Sequence, residues 1–333
     1  MKKTVLKKGL FFLMAATGGL LILHSLVLAQ GAFPTRPVTI WIGFAPGGTT
    51  DIIIRPLAEG SEKSLGQKIV VMNKPGGGGA VCASLIAKEK PDGYTLAAFP
   101  DTPILRSPHL TDLDYDAFRD FTHIIRVGAW KNVFVVRSDS PFKEWKDVVN
   151  WAKKNPGQLT FGNAGAGTAT HLAMVMIAKK DGFTFRNVPF AGAAPLLSAL
   201  LGGHVMVGAT GPMTIHSHVL AKTLKVLLVN EREGLDYAPD APTLEKMNYG
   251  FEVPNTVIIC GPKGMPDQVR EILQKSFIAG MKHEAFKKVA EEQEMLYADP
   301  LTGEALLNYL KKWYGLYEVF IKEAGIYKSE RKK

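Results

Sequence analysis

Two loops combine glycines with hydroxyl side chains in a pattern that suits anion binding. One covers residues 44–51, Phe-Ala-Pro-Gly-Gly-Thr-Thr-Asp, and the other covers residues 162–171, which end in Thr-Ala-Thr-His. Each lies between a strand-like run and a helix-like stretch, so its amides would stand at a helix N-terminus, where the dipole favours an anion. Taken alone, the first loop could equally be a tight turn capped by Thr50 or Asp51. Two such loops facing each other across a cleft favour ligand binding.

Other chemistry has weaker support in the sequence. The first loop has neither a G-x-G-x-x-G pattern nor the Gly-Lys-Ser/Thr end of a P-loop, so nucleotide binding is not predicted. His171 could activate a hydroxyl, but no G-x-S-x-G segment is present, and a hydrolase is the less favoured alternative. His216 and His218 would point to different faces of a helix, so we expect no metal and no cofactor. Cys82 and Cys260 are predicted to be buried free thiols, with a disulfide left open.

Apolar β-branched runs alternate with helical stretches along the rest of the chain. The predicted strands are residues 38–44, 68–72, 94–99, 133–137, 205–209, 225–229 and 257–260. The predicted helices are residues 51–65, 80–88, 142–155, 170–180, 193–201 and 214–222, followed by a helical tail over 266–325. Because strands and helices alternate, the sequence predicts an α/β fold with mainly parallel sheets.

The 333 residues are enough for two domains, but no long linker separates them. We therefore predict two lobes whose backbones cross between them near residues 130–132 and 250–255. Residues 30–131 with 255–333 would form the first lobe, and residues 132–254 the second.

The N-terminus has the features of a secretory signal peptide over residues 1–29. A lysine-rich start precedes an uncharged apolar run, and small residues surround the expected cut before Gln30. An uncleaved membrane anchor is the alternative. Most of the formal net charge of +9 lies in this leader and in the last seven residues, so the folded part has no basic face for nucleic acid.

Short segments along the whole mature chain match one family of receptors. They are residues 33–37, 44–51 with Arg55, 73–76, 91–96, 120–121, 168–172, 188–190 with Gly192, 200–203, 242–243 and 325–326. On these segments the chain resembles the extracytoplasmic solute receptors of the tripartite tricarboxylate transporter group, the Bug family.

The resemblance implies a two-lobe, periplasmic-binding-protein-like fold of type II, with a mainly parallel sheet flanked by helices in each lobe and with crossing hinge strands. It implies a monomeric periplasmic receptor, not an enzyme, that closes on a small carboxylate and serves membrane transporter subunits. A receptor that feeds a signalling partner is the alternative. Such receptors hold the carboxylate by amides, hydroxyls and waters instead of an arginine. The predicted ligand-binding residues are Phe44, Gly47, Gly48, Thr49, Asp51, Asp101, Thr102, Gly167, Thr168, Thr170, Phe190, Gly192 and Thr210.

Departures from the family pattern bear on the rest of the ligand. Phe190 and Ala191 stand where the family usually has Tyr-Lys, and Met206 and Thr210 stand where it usually has acids. An ammonium group would lack acceptors there, so we expect an aromatic or aliphatic carboxylate without a charged amine. The alternative is that Met206 and Phe190 only pack inside their own lobe.

Overall fold

The computed structural model describes residues 33–292, 294–295 and 299–328. Contacts group the chain into residues 1–36 and residues 37–333, and every described helix and strand lies in the second group. The predicted signal peptide falls outside the described residues. None of the helices in the described part has both the length and the apolar character needed to cross a bilayer.

Ten strands and ten α-helices alternate along residues 38–323. The strands are β1 Val38–Ile42, β2 Ile69–Asn73, β3 Thr95–Pro100, β4 Phe121–Trp130, β5 Val133–Arg137, β6 Leu159–Asn163, β7 Phe185–Pro189, β8 Val207–Thr210, β9 Leu224–Val229 and β10 Asn255–Pro262. The helices are α1 Thr49–Leu65, α2 Ala80–Ile86, α3 Ser107–Leu110, α4 Trp145–Lys154, α5 Ala169–Asp181, α6 Ala193–Leu201, α7 Pro212–Leu220, α8 Asp267–Met281, α9 Glu284–Glu292 and α10 Gly303–Glu323.

The strands form two five-stranded sheets, which confirms the predicted α/β fold. The first sheet has the order β2-β1-β3-β10-β4 and the second has the order β7-β6-β8-β5-β9. The sheets are mixed, whereas mainly parallel sheets were expected. Two pairings in each sheet are antiparallel because β10 and β5, the strands that enter after a passage between sheets, run against both of their neighbours.

All seven predicted strands are present, and β4, β6 and β7 are additional. Residues 102–110 also form helical turns, a π-helical turn followed by α3, which the sequence did not predict. Cys82 and Cys260 are free and buried, as expected. Burial raises the pKa of the Cys82 thiol to about 12, so it stays protonated at neutral pH.

The chain passes between the sheets at residues 131–132 and again over residues 230–254. Buried asparagines tie the two passages together. The Asn230 backbone amide donates to the Asn132 carbonyl at 2.8 Å, and the Asn255 side-chain amide lies 3.4 Å from Asn132 Oδ1. Separate lobes that move about these passages stay a prediction.

Candidate functional site

The first turns of four helices line one cavity between the two sheets. Its volume is about 40 Å³, room for about one water molecule. The lining residues are Phe44, Gly48, Thr49, Thr50, Pro100, Trp130, Asn132, Ala164, Thr168, Thr170, Ala193, Ala209, Thr210, Gly211 and Asn255.

Each helix presents its N-terminal end to this cavity. Gly48 is the N-cap of α1, Thr168 that of α5 and Gly211 that of α7, while Ala193 is the first residue of α6. Three of the four N-caps, Gly48, Gly192 and Gly211, are glycines without a side chain, and the Thr168 side chain forms no capping hydrogen bond. The first-turn amides of a helix have no acceptor within their own helix, and the dipole adds positive potential there. Four such ends produce a strongly anion-attracting cavity without a positive side chain.

The polar side chains around the cavity are neutral. The described lining holds five threonines and two asparagines and no ionisable group. Three buried atoms of these side chains, Asn132 Nδ2, Thr210 Oγ1 and Asn255 Oδ1, have no hydrogen-bond partner within the described chain. A buried polar atom without a partner is unfavourable unless a ligand or water satisfies it. These atoms therefore offer hydrogen-bonding capacity to whatever occupies the cavity.

The predicted ligand residue Asp51 has an internal role instead. Its carboxylate accepts from Arg55 at 2.8 and 2.9 Å, from Asn73 Nδ2 at 2.9 Å and from the Gly47 amide at 3.1 Å. Burial raises the pKa of Asp51, but the hydrogen bonds from Arg55, Asn73 and Gly47 outweigh it, and the pKa lies below its ordinary value. Asn73 Nδ2 also donates to the Phe44 carbonyl. Asp51 thus stabilises the conformation of the 44–51 loop without lining the cavity.

Asp101 and Thr102 also lie outside the cavity lining. Arg106 is fully buried, and its Nη2 donates to Asp101 Oδ1 at 2.6 Å and to Thr102 Oγ1 at 2.8 Å. Its Nε donates to the Gly167 carbonyl of the second glycine loop at 3.0 Å. The Gly167 amide in turn donates to His171 Nδ1 at 3.1 Å, so this histidine satisfies a backbone group.

Of the remaining predicted residues, Gly192 lies where the 44–51 loop meets the segment that follows β7. The Ala45 amide donates to the Ala191 carbonyl at 3.0 Å, and a Cβ at Gly192 would lie only 3.0 Å from Ala45. Phe190 packs on the core of the second sheet, near Gly162, so the packing interpretation holds for it.

Six of the thirteen predicted residues line the cavity, namely Phe44, Gly48, Thr49, Thr168, Thr170 and Thr210. Met206 does not line it, and its backbone amide donates to Thr160. Sequence reasoning missed Asn132, Asn255 and Gly211. Gly211 precedes Pro212, and proline is a common first residue of a helix. The sequence therefore did contain a signal for this helix start.

Known proteins resemble this chain over most of its length. A family model described as tripartite tricarboxylate transporter family receptor matches residues 53–305. A UPF0065 protein in the gbd 5' region of Cupriavidus necator is 36% identical over 259 residues, which cover 78% of this chain and 76% of that protein.

Solved structures share the fold described above. The periplasmic binding protein BugD superposes with a TM-score of 0.84 at 29% identity, covering 89% of this chain and 99% of BugD. An R. palustris protein solved with adipate has a TM-score of 0.80 at 25% identity, with the same coverage of both chains.

Proposed function

We propose that this chain, which belongs to the tripartite tricarboxylate transporter family of receptors, binds a small carboxylate where the four helix N-termini meet. The family model and the Cupriavidus necator relative confirm the family resemblance seen in the sequence, and the chain is a solute receptor of that family. The convergence of uncapped helix ends on one neutral, hydroxyl-lined cavity is the observation that carries the choice of site. The R. palustris structure with adipate supports a carboxylate as the ligand class.

Named atoms can be assigned to the carboxylate. Thr210 Oγ1 and Asn132 Nδ2 are unpartnered donors, and the first-turn amides of α1 and α5 add to them. Hydrogen bonds to a charged group are the stronger kind, so a few such donors suffice for specific binding. Asn255 Oδ1 would accept from a ligand hydroxyl or from a bridging water. Thr49 and Thr170 line the cavity with further hydroxyls, while the Thr168 hydroxyl donates to the Gly165 carbonyl at 2.9 Å.

The neutrality of the cavity supports a ligand without a charged amine. An ammonium ion enclosed there would lose its hydration and find no described carboxylate in the lining. This reason replaces the one drawn from Phe190 and Met206, which do not line the cavity. A cavity of about 40 Å³ is too small for a six-carbon diacid. We therefore infer that the lobes formed by residues 30–131 with 255–333 and by residues 132–254 separate to admit the ligand.

The cellular setting follows from the family and the leader. We propose export to the periplasm by the signal peptide, action as a monomer, and delivery of an unchanged ligand to membrane transporter subunits. Delivery to a signalling partner is the second candidate, favoured if a sensor kinase and no pair of membrane subunits is encoded beside this chain.

Calorimetric titration of the mature protein tests the ligand class. We expect binding of adipate, malate or benzoate and no measurable binding of aspartate or glutamate. A ligand at 100 times its Kd should also raise the free energy of unfolding by about 2.7 kcal/mol, seen as a thermal shift. Tight binding of an amino acid together with weak binding of every amine-free acid would contradict the proposal.

Thr210→Val should separate binding from stability. The change removes one hydroxyl and keeps the shape, so carboxylate affinity should fall about 10- to 100-fold. Because Thr210 Oγ1 has no partner within the described chain, the free energy of unfolding of the empty protein should not fall.

Thr243→Val is the matched control. Thr243 is buried and its hydroxyl accepts from the Lys246 amide, so its loss should lower stability and leave affinity unchanged. Wild-type affinity in Thr210→Val would remove this residue from the site.

A further inference from the structure

A second and larger cavity lies between α10 and the passage that leads from β9 to β10. Its volume is about 460 Å³, within the range of small-molecule sites. It shares no described lining residue with the carboxylate cavity. Trp313, Leu316 and Phe320 follow one another at helical spacing along one face of α10 and form an apolar wall. Phe251 contributes from the opposing passage.

A buried carboxylate lines this cavity, and one of its oxygens has no hydrogen-bond partner in the described chain. Glu231 lines it, is only 6% exposed, and its Oε1 has no hydrogen-bond partner among the described residues. The neighbouring Lys131 is engaged elsewhere, since its Nζ donates to the Gly234 carbonyl and to Glu294 Oε2, both at 2.8 Å. Burial raises the pKa of Glu231 well above its ordinary value. The charged form of a buried carboxylate that lacks hydrogen-bond partners is stabilised by a cation that reaches it.

The other charges around the cavity are mostly negative, as is that of Glu231. The described lining includes Glu231, Glu245 and Glu252 but only one basic residue, Arg232, and that guanidinium is already paired with Glu252. Aromatic faces attract cations, and the attraction grows when water is excluded. One buried carboxylate beside aromatic rings suits an organic cation better than a metal ion. Within the described chain no group of three or more potential metal ligands occurs.

The geometry points to a second binding site, for a small organic ammonium ion with an apolar arm. The ammonium pairs with the Glu231 carboxylate, and the arm lies against Trp313 and Phe320. The site is independent of the proposed carboxylate site, so the failure of one proposal leaves the other standing.

Phenethylammonium is a suitable probe, with phenethyl alcohol as its uncharged counterpart. In calorimetric titration of the mature protein we expect saturable binding of the ammonium and at least about 10-fold weaker binding of the alcohol. Equal binding of phenethylammonium and phenethyl alcohol would show that the cavity recognises only the apolar arm, and it would overturn the proposal. Absence of saturation by phenethylammonium at millimolar concentration would overturn it as well.

Glu231→Gln keeps the shape and removes the charge. We expect phenethylammonium affinity to fall about 10- to 100-fold while adipate binding stays as in the wild type. Unchanged ammonium affinity in this variant would refute the role of Glu231. Trp313→Ala provides a second variant that does not depend on a buried position and should also weaken binding of phenethylammonium. Trp151→Ala, at a half-buried tryptophan on α4 away from the cavity, is the matched control and should bind normally.

Discussion

Replacement of Gly211 by valine is expected to lower carboxylate affinity by at least about 100-fold while the chain still folds. A Cβ at this position would lie 2.5 Å from Thr49 Oγ1, 3.0 Å from Thr49 Cγ2 and 3.2 Å from Trp130 Cδ1. Rotation of the Thr49 side chain exchanges one clash for another, because both branches are near. Overlap of this kind costs about 3 kcal/mol in a packed setting, or about 100-fold in Kd.

The overlap lies between the two sheets, so separation of the proposed lobes relieves it. Gly211 precedes α7 beside the second sheet, and Thr49 and Trp130 belong to the first-sheet side. The variant should therefore keep its free energy of unfolding near that of the wild type and show a larger radius of gyration by small-angle scattering. Gly234→Val is the matched control, since no atom lies within 4 Å of a Cβ at that loop position. Wild-type affinity in Gly211→Val would mean that closure of this cavity is not needed for binding.

The sequence predicted the strands whose side chains are mostly apolar and missed β4, β6 and β7, of which β4 holds buried ionisable groups. β4 holds His123 and Arg126 among its apolar residues, which breaks the hydrophobic pattern. Both side chains have partners in the structure: His123 Nε2 lies 2.9 Å from the Ala117 carbonyl, and Arg126 lies over the Tyr309 ring at 4.9 Å. These partners come from other parts of the chain, so a local pattern cannot reveal them.

The glycine loops were predictable because their signal is local. Gly47 and Gly167, beside the N-caps of α1 and α5, have positive φ angles of 72° and 78°, which favour glycine. Asn132 and Asn255 were not predictable in this way. They are far apart in sequence and meet only because both passages between the sheets run side by side.

Asp51 and Asp101 are the only evident acids near the loops, and the sequence analysis predicts both as ligand-binding residues. Asp51 is in fact paired with Arg55, four residues later on the same helix. That spacing places the two side chains on one helix face, and it favours an internal ion pair over a ligand contact. Asp101 similarly pairs with Arg106 inside the turn that follows β3. Local charge complementarity is thus a sequence signal for both ion pairs.

Arg106→Met is expected to lower the free energy of unfolding by about 3–5 kcal/mol, measured by urea denaturation. Removing one partner of a buried ion pair leaves the other charge without compensation. Arg106 and Asp101 are both fully buried, and Asp101 Oδ2 already lacks a partner within the described chain. The guanidinium also lies 4.8 Å from the centre of the Tyr317 ring, whose hydroxyl donates to the Pro254 carbonyl at 2.8 Å. Its loss therefore weakens the packing of α10 and the second passage together.

Two comparisons isolate the buried charge as the cause. The same substitution at Arg119, whose pair with Asp116 is exposed, should change stability by less than about 1 kcal/mol. In the double variant Asp101→Asn with Arg106→Met no buried carboxylate remains at this position, so the protein should be more stable than Arg106→Met alone. If instead the double variant is the less stable of the two, lost packing and the lost hydrogen bonds from Arg106 to the Gly167 carbonyl and, at 3.4 Å, to the Pro254 carbonyl outweigh the charge. In that case the role of Arg106 is to join the second glycine loop to the first-sheet side, and carboxylate affinity should fall along with stability.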